Sequence, residues 1–282
     1  MTVFRGSIAT VLASTAEEAS QLAERLGKKT ENKIYYRRVG DLIRSVLTPE
    51  GLLDQAEALT VSSSFYLKMS KITAVEGELA LLAEASGLKG VVIPPDDLET
   101  FKKVFGELKV SEMVGEFREL DEPVQDRGYV YVDRAFNVKG VGVVVLGFAL
   151  TEVRAHDKLI AYPTMKEVEV KSIQVLDEDQ EGVLPGTRIG FALRNVKLED
   201  IEGVTALLKP GLKLIDRIPY TKFKWASEAK DVHVLAGGIK VLGTVQGNEI
   251  ALQKPVPSTF GRAIILNMNA KPKTPRVFGY SA

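Results

Sequence analysis

Two histidines, no cysteine and a few clusters of hydroxyl, carboxylate and lysine side chains are the reactive chemistry of this 282-residue chain. The lack of cysteine excludes a disulfide framework, thiolate metal sites and a cysteine nucleophile, and favours a reducing cytosol. His156 stands beside Asp157 and Lys158 and reads as a turn residue, while His233 alternates with Val232 and Val234 and reads as the polar face of a strand. Neither has a nucleophile beside it in sequence, so no catalytic residue is expected. Gly140, Gly142 and Gly147 lie in β-type sequence with no helix after them, which suits tight β packing rather than a dinucleotide loop. Asp177-Glu178-Asp179 reads as a solvated loop, and no metal site is expected. A phosphate cradle needs a glycine-rich turn, a lysine and a Ser or Thr opening a helix. The first turn of the chain is Ala13-Ser14-Thr15-Ala16-Glu17-Glu18, with neither glycine nor lysine. Its Ser/Thr followed by glutamates reads as a helix capping box, and Glu17 and Glu18 satisfy the helix dipole themselves.

The elements that would position these residues change character along the chain. From Ser7 to about Val110, short apolar runs (Ser7 to Leu12, Lys33 to Arg37, Ala58 to Ser62, Gly90 to Ile93) alternate with helical patterns, as in parallel βαβ units. Ala16, Ala19, Leu22, Ala23 and Leu26 share one helix face, and Leu79, Leu82, Ala83 and Ser86 another. Glu119 to Gly128 is acidic, contains a proline and lacks periodicity, so it reads as a linker. Beyond it the runs are β-rich and turn-separated, with a second boundary near Pro210 and a hairpin turn at Gly247-Asn248. The expected fold class is multi-domain, α/β plus all-β: an α/β domain over 1–122 and β-barrels over 123–209 and 210–282.

Specific residues sharpen this layout. Val132 to Gly147 (VDRAFNVKGVGVVVLG) resembles the opening of the second domain of elongation factor Tu and, more closely, of the selenocysteine-specific elongation factors. Lys171 to Val175, Pro185 to Gly190, Leu193 to Val196 and Glu199 to Glu202 continue the resemblance in order, although the Arg-Gly that usually follows is missing before Gly203. Arg276 to Tyr280 is similar to the close of the third domain in that subfamily. Gly77 to Leu82 and Gly87 to Ile93 resemble a helix and strand of the family's GTP-binding domain, with Ala56 to Ser62 expected as the strand before them. The resemblance implies a degenerate P-loop-GTPase-like domain followed by two elongation-factor-Tu-like barrels.

The family's nucleotide motifs are eroded. Gly27-Lys28-Lys29-Thr30 ends a helix instead of opening one and reads as a C-cap. The Asp-x-x-Gly motif is expected near Arg37-Arg38-Val39-Gly40-Asp41, with Gly40 retained, and the guanine-reading Asn-Lys-x-Asp as Pro94-Pro95-Asp96-Asp97. Asp97 and Gly40 are thus the only vestigial nucleotide-site residues, and Asp97 has an ordinary use as cap of a helix starting near Leu98. No cofactor is expected; GTP and Mg²⁺ enter only if the site is atypical rather than lost. By position in the resembling factors, Gln174 and Val175 fall on the strand lining the pocket for the tRNA end. Arg188 lies on a neighbouring strand, as a phosphate or ribose contact or as an exposed barrel arginine.

The net charge of zero conceals an asymmetry. Residues 1–122 carry 15 basic and 20 acidic side chains, 123–209 carry 11 and 13, and 210–282 carry 11 and 4. Lys222, Lys224, Lys271, Lys273 and Arg276 are therefore candidates for an RNA backbone, although a basic domain can also be just a soluble surface. The expectation is a translation elongation factor-like protein that binds tRNA or the ribosome through its β-barrels and has lost GTP binding and hydrolysis. The alternatives are a GTP-binding elongation factor with an atypical site, or a protein-binding scaffold outside translation. No apolar run is long enough to span a membrane and no signal-peptide core forms, so a cytoplasmic protein is expected. The oligomeric state is open.

Overall fold

The computed structural model describes residues 3–281. Its first ten elements are β1 (Arg5–Ala13), α1 (Ala16–Glu24), β2 (Lys28–Glu31), β3 (Ile34–Val39), β4 (Leu42–Leu47), α2 (Leu52–Val61), β5 (Ser64–Lys68), α3 (Ala74–Ser86), β6 (Lys89–Ile93) and α4 (Leu98–Phe105). The strands form one sheet in the order β2-β3-β4-β1-β5-β6. β1, β5 and β6 are parallel and in register, with Ala13 opposite Lys68 and Lys68 opposite Ile93. Their C-terminal ends therefore lie along one edge, the edge at which open α/β sheets take ligands. α1 buries Ala19, Leu22 and Ala23 against Ala9, Val11, Val46 and Val91 of the sheet, with Phe117 and Leu120 packed on the cluster.

The expected strand over Ala58 to Ser62 is instead the end of α2. The β-branched Thr60 and Val61 mimic a strand, but Leu52, Ala56 and Leu59 recur at helical spacing and all are buried. The strand itself comes one step later, as β5, with Phe65, Tyr66 and Leu67 fully buried. Gly27 is not the cap of α1 either: Arg25 is, and Gly27 is required because a Cβ there would lie 2.9 Å from the Tyr36 carbonyl.

Next come β7 (Tyr129–Val138), β8 (Gly142–Ala149), β9 (Val153–Arg154), β10 (Lys158–Tyr162), β11 (Lys166–Val175), β12 (Glu178–Gln180), β13 (Gly182–Val183), β14 (Arg188–Arg194), the short α5 (Leu198–Ile201) and β15 (Ala206–Leu208). Pairing runs β10-β15-β7-β8-β14-β11, and a β10–β11 pairing closes the ring, so six antiparallel strands make a barrel. Alternating burial along its strands fills the interior with residues such as Val168, Val170, Ile173 and Phe191.

The last seven strands are β16 (Leu214–Pro219), β17 (Thr221–Lys222), β18 (Asp231–Ala236), β19 (Ile239–Gln246), β20 (Glu249–Pro257), β21 (Ala263–Leu266) and β22 (Val277–Ser281). They form a half-barrel, an antiparallel sheet of order β16-β20-β19-β18-β21-β22-β17. α2 and α3 pack on β18, β21 and β22, and the Gly238 amide donates to buried Thr60 Oγ1 at 2.9 Å.

By compactness the chain divides into two units. One comprises Met1–Ser7, Arg38–Ser45 and Pro123–Lys213; the other comprises Ile8–Arg37, Val46–Glu122 and Leu214–Ala282. Most of the expected first domain and nearly all of the third thus share one unit, and the barrel has the other. Within the barrel's unit, Gly6 passes so close to the 185–187 turn that a Cβ would lie 1.9 Å from the Gly186 carbonyl oxygen.

Candidate functional site

The sheet edge at the C-terminal ends of β1, β5 and β6 is occupied by the chain's own carboxylates. Thr15 caps α1, its hydroxyl accepting from the Glu18 amide at 3.2 Å, and Glu17 and Glu18 fill the first helical turn. Across the edge, Thr73 and Glu76 form the capping box of α3, and the Glu76 carboxylate is fully buried. It accepts from the Thr73 amide at 3.1 Å and from the Thr73 hydroxyl, and also from the hydroxyl of Ser14 in the β1–α1 turn. Ser70, after β5, donates to Glu18. Burial on its own raises the Glu76 carboxyl, but the bonds from Ser14 and Thr73 outweigh it and hold the group below its ordinary value. A carboxylate thus takes the hydroxyl and amide donors of this edge. Sequence reasoning passed over Glu76, although Thr73-Ala74-Val75-Glu76 carries the capping-box spacing.

Asp97 and Gly40, the residues expected as vestiges of a nucleotide site, have local structural uses. Asp97 is exposed and caps α4, accepting from the Thr100 amide at 2.9 Å and its hydroxyl at 2.7 Å; these bonds lower its carboxyl. Gly40 lies in the hairpin turn between β3 and β4 at φ 63°. The loop leaving β4 for α2 is Thr48-Pro49-Glu50-Gly51. Its Gly51, at φ 83°, is the N-cap of α2. Among the described residues no group of three or more His, Cys, Asp or Glu could hold a metal ion.

The three expected tRNA-end residues occupy different environments. Gln174 is exposed on β11 and donates to Asp179 at 3.0 Å. Val175, one step along, points into the barrel and is buried. Arg188 is neither a free anion contact nor an exposed arginine: it is 5% exposed, pairs with Asp133 at 2.6 Å and lies 5.1 Å from the Phe148 ring centre. His156 occupies a turn at φ 72° and sits 3.2 Å from Glu169; His233 lies on β18.

The five basic residues of the last part are also divided. The Arg276 guanidinium grips Glu78 of α3 through both carboxylate oxygens, at 3.0 and 2.5 Å, and Lys224 pairs with Glu107. Lys222 pairs with Glu228. Lys271 and Lys273 have no ion pair among the described residues. Part of the charge asymmetry is therefore spent inside the molecule, basic residues of the half-barrel meeting acidic residues of α3 and the turn after α4. Glu78 and Arg276 also line a groove of about 690 Å³, together with Val75, Leu81, Val104, Trp225 and Lys273. Val75, Val104 and Trp225 are 52%, 50% and 41% exposed, an apolar surface the periodicity of α3 and α4 did not announce.

No family model matches the chain. A protein of Methanocaldococcus jannaschii described as uncharacterized is 25% identical over 280 residues, 87% of this chain and 91% of that protein. The selenocysteine-specific elongation factor of the same organism is 33% identical over 124 residues, 40% of this chain and 26% of the factor. Elongation factor 1-alpha of Methanosphaerula palustris is 29% identical over 122 residues, 43% of this chain and 28% of the factor. These two matches span only about a quarter of each factor's length. Among solved structures, the apo form of translation elongation factor SelB from Methanococcus maripaludis superposes with a TM-score of 0.76 at 15% identity, covering 99% of this chain and 79% of that one. A bacterial selenocysteine-specific elongation factor gives 0.78 at 14% identity, covering 99% and 58%. At these identities the structural likeness is one of fold. With its succession of α/β sheet, closed barrel and half-barrel, the chain shares the fold of these SelB factors, and over about two fifths of its length its sequence is similar to selenocysteine-specific elongation factor and elongation factor 1-alpha.

Proposed function

We propose that this protein is an elongation-factor-like binding module that engages tRNA or the ribosome through its β-rich parts and works without binding or hydrolysing GTP. The observation that carries the reading is the buried Glu76 carboxylate, which holds the Ser14 hydroxyl at the turn where the fold would otherwise receive phosphate. Glu17 and Glu18 add negative charge to the same turn, and no lysine stands in it. Phosphoryl transfer relies on cations and amides placed around the phosphates, so this donor set does not suit a nucleoside triphosphate with Mg²⁺. Of the residues expected to meet RNA, Gln174 is exposed on the barrel, and Lys271 and Lys273 on the half-barrel have no ion pair among the described residues. Titration calorimetry with GTP and Mg²⁺ is expected to show no binding, and Lys271→Ala/Lys273→Ala to weaken tRNA or ribosome binding. Tight GTP binding with Mg²⁺-dependent hydrolysis would overturn this in favour of a GTP-binding factor with an atypical site.

A second reading, a scaffold for a protein partner, is favoured by the groove around Trp225, since its exposed aliphatic side chains suit apolar anchors of a peptide. Trp225 is the only tryptophan, so its emission reports on that groove alone. A partner that shifts this emission while RNA leaves it unchanged would favour the scaffold.

A further inference from the structure

The α/β part is acidic, yet its basic residues are not spread evenly. Residues 25–37 carry Arg25, Lys28, Lys29, Lys33 and Arg37 against a single acidic residue, Glu31. Four of these cations, Arg25, Lys28, Lys29 and Arg37, outnumber the one carboxylate, Glu24, in the lining of a surface of about 710 Å³ where the end of α1 meets β2 and β3. The surface is built rather than frayed. Gly27 lets the helix end press onto the Tyr36 backbone, and the Arg25 guanidinium lies 3.7 Å from the Phe117 ring centre, which itself stacks on Tyr66 at 5.8 Å. Arg37 is fixed by Glu119 at 2.6 Å, a bond that leaves further donors of its guanidinium unused by that oxygen. Lys28 and Lys29 are exposed and have no ion pair among the described residues.

We infer that this surface is a second RNA contact, a cradle for the phosphodiester backbone separate from the β-rich parts. Two held guanidinium groups flanking two unpaired lysines match a run of phosphates, which needs cations at intervals and no apolar anchor. An acidic peptide is the poorer fit, because Leu26 and Tyr36 in the lining are buried and offer it nothing to grip. The inference rests on the reading of the chain as an RNA binder, and the test separates the two.

Fluorescence anisotropy with a labelled oligouridylate, titrated between about 50 and 200 mM salt, compares the wild type with three paired variants. Lys28→Ala/Lys29→Ala is expected to weaken binding roughly tenfold at the lower salt and to reduce the log–log salt slope by about 1.4, at about 0.7 for each phosphate that the lysines no longer neutralise. Lys28→Arg/Lys29→Arg should bind as the wild type does. Both lysines are exposed, so an unchanged thermal midpoint accompanies the weaker binding. Unaltered affinity and slope in Lys28→Ala/Lys29→Ala, with a loss in Lys271→Ala/Lys273→Ala, would overturn the cradle and leave the proposed function standing. Absence of oligouridylate, tRNA and ribosome binding by the wild type would overturn both. Displacement of the RNA by polyglutamate at equal charge would overturn the cradle by making the surface one for acidic chains generally.

Discussion

Replacing Glu76 by alanine removes the acceptor that joins the β1–α1 turn to α3. Three donors lose their partner: the Ser14 hydroxyl, the Thr73 hydroxyl and the Thr73 amide. Each bond to a charged acceptor contributes about 1.5–3 kcal/mol net, and the carboxylate's own desolvation cost is recovered when it goes, so a loss of about 3 kcal/mol follows. At about 2–4 °C per kcal/mol for a unit of this size, the unfolding midpoint falls by roughly 6–12 °C. Glu76→Gln keeps one acceptor oxygen but brings an NH₂ into a donor-rich site, and costs about 1 kcal/mol. The pH dependence separates charge from shape. Because the folded Glu76 carboxyl lies below its ordinary value, its stabilisation is complete above the unfolded value of about 4.3 and is lost as pH falls through the folded one. Glu76→Gln lacks that contribution, so the gap between wild type and variant closes in acid. Chemical denaturation of wild type and both variants across the acid range reads all of this. A Glu76→Ala midpoint within error of wild type, or a Glu76→Gln gap that persists in acid, would refute the reasoning.

Two further tests rest on ion pairs. A double-mutant cycle on Glu78 and Arg276 should return a coupling of about 1 kcal/mol that weakens with added salt, since the pair is two-pronged but Arg276 is partly exposed. Burial raises the Glu78 carboxyl, but the Arg276 bonds outweigh it and lower it, so the coupling should fade as pH drops below about 4.3. Arg188→Ala takes the buried guanidinium away from Asp133, which keeps Arg134 at 4.0 Å, and opens a hole over Phe148, which should cost about 3 kcal/mol. The loss should appear in the denaturation of the barrel's unit while the Glu76 variants leave that transition in place.

Much of the architecture was legible because it is written in local patterns. The helical face of α1, the capping sites at Thr15 and Asp97, and the β-rich runs after residue 128 are each set by neighbours a few residues apart. α2 was misread because Thr60 and Val61 have strand-forming side chains, and packing against β18 and β21, which no local window contains, favours the helix. The candidate site was harder, because it depends on side chains that meet only after folding. Ser14 and Glu76 are 62 residues apart, and Glu78 and Arg276 are 198 apart. Arg188 illustrates the same limit: its position in the chain suggested an anion contact, but Asp133, 55 residues away, takes its charge.

Binding of tRNA and of ribosomes, each measured with and without saturating GTP and Mg²⁺, tests the central claim most directly. A nucleotide that does not bind cannot shift another ligand's affinity, since coupling between sites is reciprocal. The account predicts a measurable affinity for at least one of the two partners, identical in the presence and absence of GTP. A several-fold change on adding GTP, or no binding to either partner, would contradict it.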